Sequence, residues 1–140
     1  GPSKRWPVAR FAAVASTALA AGWQVWLLGA SGDVPLAEAI QEITQHRCVN
    51  LMGKTRLEEA VDLIASAAAM VGNDSGLMHL SVASKLRVIS LFGPTNYKKF
   101  SPIGNSRSIS ISSQKIFKSE NINAIPVNLV IKKLKRIVDR

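Results

Sequence analysis

The chain has 140 residues, 47% of them hydrophobic and 19% charged, an ordinary composition for a globular protein that buries a core. A single cysteine, Cys48, excludes an internal disulfide and makes a reducing compartment, the cytoplasm, the expected location. The formal charge of +9 points towards polyanions, yet residues 101–140 carry eight Lys/Arg against two Asp/Glu and residues 1–100 ten against seven, so the excess belongs mainly to a tail and no nucleic-acid partner is expected.

In residues 7–21 the apolar positions Phe11, Val14, Ala15, Ala18 and Leu19 recur at helical spacing, with Pro7 suited to a first turn and Gly22 to a C-terminal cap. Lys4, Arg5 and Arg10 ahead of the apolar residues 11–21, with Ala18-Leu19-Ala20 behind, also suit a secretory signal. Trp6-Pro7 inside the basic region, the lack of an initiator Met and the helical spacing argue against that. Ser16, Thr17, Gly22 and Gln24 break the longest apolar stretch short of the ~18 residues that a membrane span needs, so the chain reads as soluble.

Residues 23–28 read as a buried strand leading into the turn Gly29-Ala30-Ser31-Gly32-Asp33. Pro35 opens a second helix to about His46, and residues 49–52 form a short strand. Thr55-Arg56-Leu57-Glu58 has capping-box spacing at the head of a third helix ending near Ser66. Residues 69–72 are a strand, Asn73-Asp74-Ser75-Gly76 a loop, residues 77–84 a short helix, and residues 87–92 a strand closed by Gly93-Pro94. Short apolar strands alternating with helices predict right-handed βαβ crossovers, hence an α/β three-layer sandwich around a Rossmann-like parallel sheet. After Ser101 the pattern loosens into residues 108–111, a polar stretch, and a closing helix over residues 126–138 whose apolar side is Val127, Val130, Ile131, Leu134 and Val138.

In such sheets ligands bind beyond the carboxyl ends of the strands. The loop at Asn73-Asp74-Ser75-Gly76 sits at such a place, and the N–H groups opening the next helix suit a phosphate or diphosphate, with Gly76 allowing close approach. His79, one turn on, suits an anion; Asp74 would repel phosphate and instead accept from sugar hydroxyls. Spacing alone leaves a second explanation open: Asp74 or Ser75 simply caps the helix, worth about 1 kcal/mol. Lys4 and Arg5 precede the first helix, where a cation can reach that edge or merely be solvated. Asp33 can accept from ribose hydroxyls or serve as the turn residue before Pro35. No dinucleotide fingerprint, P-loop, serine elbow or zinc-ligand motif is present.

Four strings resemble a known family: Lys4-Arg5-Trp6-Pro7; Asn50-Leu51-Met52-Gly53-Lys54-Thr55 with Leu57-Glu58-Glu59-Ala60; Asn73-Asp74-Ser75-Gly76-Leu77-Met78-His79; and Leu91-Phe92-Gly93-Pro94-Thr95. In order and spacing they are similar to the C-terminal domain of the ADP-heptose:lipopolysaccharide heptosyltransferases of glycosyltransferase family 9, closest to the type II enzymes, over roughly residues 1–104. The resemblance implies the donor-binding half of a two-domain GT-B enzyme, working without metal or other cofactor. That enzyme transfers heptose from ADP-heptose to the lipopolysaccharide inner core. It implies Lys4 at the phosphate or adjoining sugar, Asp74 at the heptose hydroxyls, Ser75 and Gly76 giving N–H groups to the diphosphate with His79 assisting, Thr55 in the adenine pocket and Asp33 at the ribose. It also places the acceptor surface and the catalytic base in an N-terminal domain, and one strand before Gly1, so no catalytic residue is expected among these 140. The expected organisation is one donor-binding domain over residues 1–140 with a divergent basic tail from about residue 105, at most peripheral at the inner membrane and prone to self-association through an exposed sheet edge. Two other readings are a binding module without catalysis and a GT-B enzyme for another nucleotide sugar.

Overall fold

The computed structural model describes residues 5–73, 75–93 and 108–138. The chain folds as two compact units, Pro7–Ala60 and a second made of Gly1–Trp6 with Val61–Arg140. Both are built from parallel strands and helices, as the alternating pattern predicts.

The unit Pro7–Ala60 starts with α1, Val8–Ala20. Gly22 ends it with φ +91°, while its N–H donates to Leu19 O at 3.0 Å and that of Trp23 to Ala18 O at 3.0 Å. This paired closure needs a left-handed residue, which glycine takes without Cβ strain. Because Trp23 is held by the cap, the strand predicted from residue 23 starts later: β1 is Trp26–Leu27, paired in parallel with β2, Val49–Asn50. Bonds from Val49 N to Val25 O (2.8 Å) and Leu51 N to Leu27 O (2.9 Å) lengthen the ladder beyond the strands.

Between them, a 3-10 turn, Ser31–Asp33, leads into α2, Val34–Ile43. The core joins Ala12 and Ala15 of α1 and Ala37 and Ile40 of α2 with Leu27 and Cys48, small side chains lining the helix–helix contact. Its one buried amide is satisfied at both ends: Gln41 Nε2 donates to Cys48 O at 2.7 Å and Oε1 accepts from Cys48 N at 3.1 Å. This bridge fixes the turn after α2, where Gln45 and His46 adopt positive φ of 59° and 58°, so the helix stops at Ile43 rather than near His46.

Helix α3, Leu57–Ser66, corrects the predicted capping register. Glu59, not Glu58, reaches back, accepting from Arg56 N at 2.9 Å and Arg56 Nε at 3.2 Å. Arg56 is therefore the cap residue and Thr55 lies one position outside. The backbone N–H of Arg56, then its guanidinium, holds the Glu59 carboxyl below its ordinary pKa. A lowered carboxylate supports the helix start above the ordinary carboxylate range and loses that support as pH falls through its folded value.

In the second unit, β3 (Met70–Asn73), β4 (Val88–Phe92) and β5 (Ser108–Ser112) run parallel in that order, with Gly72 opposite Ser90 and Ser90 opposite Ser110. All five residues of β4 are buried, as a central parallel strand covered on both faces requires. Val88 and Phe92 pack on Met78 of α4, Gly76–Ala83. The segment read from sequence as a tail carries β5, α5 (Ser113–Phe117), a 3-10 turn (Ile122–Ala124) and α6 (Val127–Val138), and buries Ile111, Ile122, Ile125, Val130 and Ile137. No helix among the described residues is long and apolar enough to cross a membrane.

Candidate functional site

The described site residues fall into two sets, one in each unit. In the second unit β3 ends at Asn73, and α4 begins with Ser75 in the N-cap position, extended at φ −154° and ψ 166°. Ser75 Oγ accepts from Met78 N at 3.2 Å and Ser75 O from His79 N at 3.0 Å. The capping explanation for Ser75 therefore holds, but it uses only part of the helix end: the N–H groups of Gly76 and Leu77 have no acceptor among the described residues. Ser75 and Gly76 are exposed, and a Cβ built on Gly76 would meet nothing within 4 Å. Among the described residues no packing demands a glycine there.

The aligned peptides of α4 add a partial positive charge at this end, equivalent to about half an elementary charge. Buried Met78 locks the helix against β4, and Ser81 Oγ closes on Leu77 O at 2.7 Å, so the N–H groups are held in place rather than adapting to a ligand. His79 lies one turn in and is half-buried.

Sequence reasoning missed the group that braces this edge. Asn73 Oδ1 accepts from the backbone N–H of Trp6 at 2.9 Å, and the indole Nε1 of Trp6 donates to Ile125 O at 3.0 Å. Trp6 is 2% exposed. The start of the chain is thus tied across 67 residues to the carboxyl end of β3 and across 119 to the 3-10 turn before α6. Only the large apolar ring among Lys4, Arg5 and Pro7 hinted at this anchor. Lys4 and Asp74 lie outside the described residues.

In the first unit, the loops after β1 and β2 are joined by Gly53 N donating to Gly29 O at 2.8 Å. Gly53 has φ +71° and a Cβ there would lie 3.1 Å from Ser31 Cα, so this position favours glycine on two counts. Asp33, on the first loop, occupies the N-cap position of α2 with no side-chain capping bond, and Thr55 follows on the second; both are half-buried. The two residues assigned to nucleoside binding thus lie on neighbouring loops at one end of a parallel ladder. Among the described residues no group of three or more His, Cys, Asp or Glu is placed to hold a metal ion.

A family model described as glycosyltransferase family 9 (heptosyltransferase) matches residues 1–124, well past the last of the sequence motifs. Lipooligosaccharide heptosyltransferase 2 of Haemophilus influenzae is 43% identical over 113 residues, covering 78% of this chain and 33% of that protein. Lipopolysaccharide heptosyltransferase 2 of Escherichia coli is 40% identical over 100 residues, 69% of this chain and 29% of its own. The solved structure of E. coli ADP-heptose lps heptosyltransferase II is similar with a TM-score of 0.84 at 32% identity, covering 99% of this chain and 43% of that one. The glycosyl transferase family 9 structure from Veillonella parvula shares the fold at a TM-score of 0.87 and 24% identity, with coverage of 99% and 43%. The chain spans about a third of the length of the curated relatives it matches.

Proposed function

The chain belongs to glycosyltransferase family 9, and from that premise we propose that it is the donor-binding half of an enzyme that transfers L-glycero-D-manno-heptose from ADP-heptose to the lipopolysaccharide inner core. The observation that carries the reading is the exposed, rigidly seated start of α4, where Gly76 and Leu77 present N–H groups at the carboxyl end of β3. A diphosphate placed there gains charge-assisted hydrogen bonds and the favourable end of the helix dipole.

In this reading Ser75 and Gly76 supply backbone N–H groups to the diphosphate, His79 assists, and Lys4 binds the phosphate or its adjoining sugar. Asp74 accepts from heptose hydroxyls. Thr55 and Asp33 bind adenine and ribose. Charge leaving with ADP is neutralised by these N–H groups and Lys4, so the transfer uses no metal. A preceding domain supplies the acceptor surface and the base. The enzyme works in the cytoplasm as a peripheral protein at the inner face of the inner membrane, where its acceptor is anchored.

Titration calorimetry with ADP, UDP and GDP tests the nucleotide assignment. ADP is expected to bind most tightly; equal or stronger heat with UDP would leave the family fold without its adenine specificity. The phosphate assignment predicts that Gly76→Val folds normally, since its Cβ has open space. The variant keeps the N–H, but its side chain stands where the diphosphate must approach, so it should weaken ADP by about ten- to a hundredfold, the equivalent of forfeiting one hydrogen bond to a charged group. Unchanged ADP affinity in that variant moves the diphosphate away from α4.

A further inference from the structure

Five of the eight cations in the last forty residues, Lys115, Lys118, Lys132, Lys135 and Arg136, are exposed on two surface features of the second unit. On α6 the buried side chains Val130 and Ile137 mark the inward side, leaving Asn128, Lys132, Lys135 and Arg136 as the exposed stripe at i, i+4, i+7 and i+8. The helix contains no acidic residue, and no carboxylate among the described residues pairs with those three cations. On α5 and at Lys118, which ends it, the exposed residues run from Gln114 through Lys118, and they include Ile116 at 50% and Phe117 at 40% exposure between Lys115 and Lys118.

An aliphatic and an aromatic side chain standing in water between two lysines match the chemistry of a lipid interface. There the apolar groups reach the acyl boundary while the ammonium groups stay among headgroup phosphates. A basic stripe without acids adds attraction to an anionic surface, about 1 kcal/mol per Lys or Arg close to it. A nucleic acid would take the cations but offers nothing to cover Ile116.

We propose that α5 and the exposed stripe of α6 dock this chain on an anionic lipid bilayer, with Ile116 and Phe117 as the apolar anchor and Lys132, Lys135 and Arg136 as the electrostatic one. The inference deepens the peripheral-membrane reading given above and rests on it; it is independent of the donor-binding residues.

The test is sedimentation of the 140-residue chain with vesicles of phosphatidylcholine alone and of phosphatidylcholine with phosphatidylglycerol, at low and high salt. Lys132→Ala/Lys135→Ala/Arg136→Ala and Ile116→Ser/Phe117→Ser variants run alongside, each checked by circular dichroism and by ADP titration. The chain is expected to bind only the phosphatidylglycerol vesicles, more weakly at high salt. Removing the three cations should weaken this about a hundredfold and removing the apolar pair about tenfold, with ADP affinity unchanged. Binding to no vesicle overturns the peripheral reading and this surface together. Binding to anionic vesicles undiminished in both variants overturns the surface and leaves the peripheral reading standing. Equal binding to phosphatidylcholine alone, or tighter binding to duplex DNA lost in the triple variant, overturns the choice of an anionic bilayer as the partner.

Discussion

Residues 1–140 expressed alone are expected to release no ADP from ADP-heptose above background when a heptose-deficient lipopolysaccharide is supplied as acceptor. Transfer needs a base within hydrogen-bond reach of the acceptor hydroxyl, worth about 10²- to 10⁴-fold, and a surface that orients the acceptor, worth more again. Seven of the nine acidic side chains are poorly placed for that work or already assigned. Glu38 and Glu42 lie on α2 and Glu58, Glu59 and Asp62 on α3, in helices rather than in the loops at strand ends. Asp33 and Asp74 are assigned to the ribose and the heptose. Donor binding should be weak as well, since half a cleft leaves the diphosphate solvated and its hydrogen bonds in competition with water. A coupled ADP-release assay checks the first point. Acceptor-dependent turnover that disappears in a Lys4→Ala/Asp74→Ala variant would show that a base resides within this chain.

Trp6→Ala is expected to lower the unfolding free energy by about 3–5 kcal/mol, the usual effect of emptying a tryptophan site in a core. The magnitude is large against the 5–15 kcal/mol that stabilises a typical domain. Trp6 is almost wholly buried, and its ring gives a donor to the Ile125 carbonyl. Trp6→Phe separates the two contributions: it keeps most of the apolar volume and loses the indole bond, which is worth about 1 kcal/mol. Urea unfolding of both variants measures this, with the exposed Val49→Ala as control. A loss under about 1 kcal/mol for Trp6→Ala would mean that the buried ring and its bond to Ile125 do not anchor the chain start. If the anchor acts as described, ADP affinity in Trp6→Phe should stay close to the parent, because the Asn73 bond is to the Trp6 backbone.

Local physics was legible in the sequence wherever it decided the outcome. The apolar spacing of α1 and the glycine that ends it are short-range properties, and both appear where expected. Errors arise where a distant contact decides. Helix α2 stops early because Gln41 turns back to hold Cys48, which no periodicity reveals. Two adjacent glutamates made the head of α3 ambiguous by one residue, and the guanidinium of Arg56 selects the second. Helix α5, at five residues, is too short to show a period. At the candidate site, the strand-to-helix turn at Ser75 and Gly76 was readable from a small hydroxyl and a glycine after a short apolar run, and the cap that Ser75 makes is one of the uses those residue types suggest. Asn73 was not, since its partner lies 67 residues away and is a backbone group.

The path of the chain has a consequence for its synthesis. Trp6 belongs to the second unit, but its partner Ile125 follows the whole of Pro7–Ala60 and most of the sheet. During translation at about 5–20 residues per second, the indole waits roughly 6–24 s before its site exists. The unit Pro7–Ala60 has its own core and can order in that interval, as an insertion whose two ends emerge from an unfinished neighbour. A ribosome that stalls before Ile125 therefore displays an uncovered tryptophan beside a folded unit, a signal that chaperones and proteases are equipped to read.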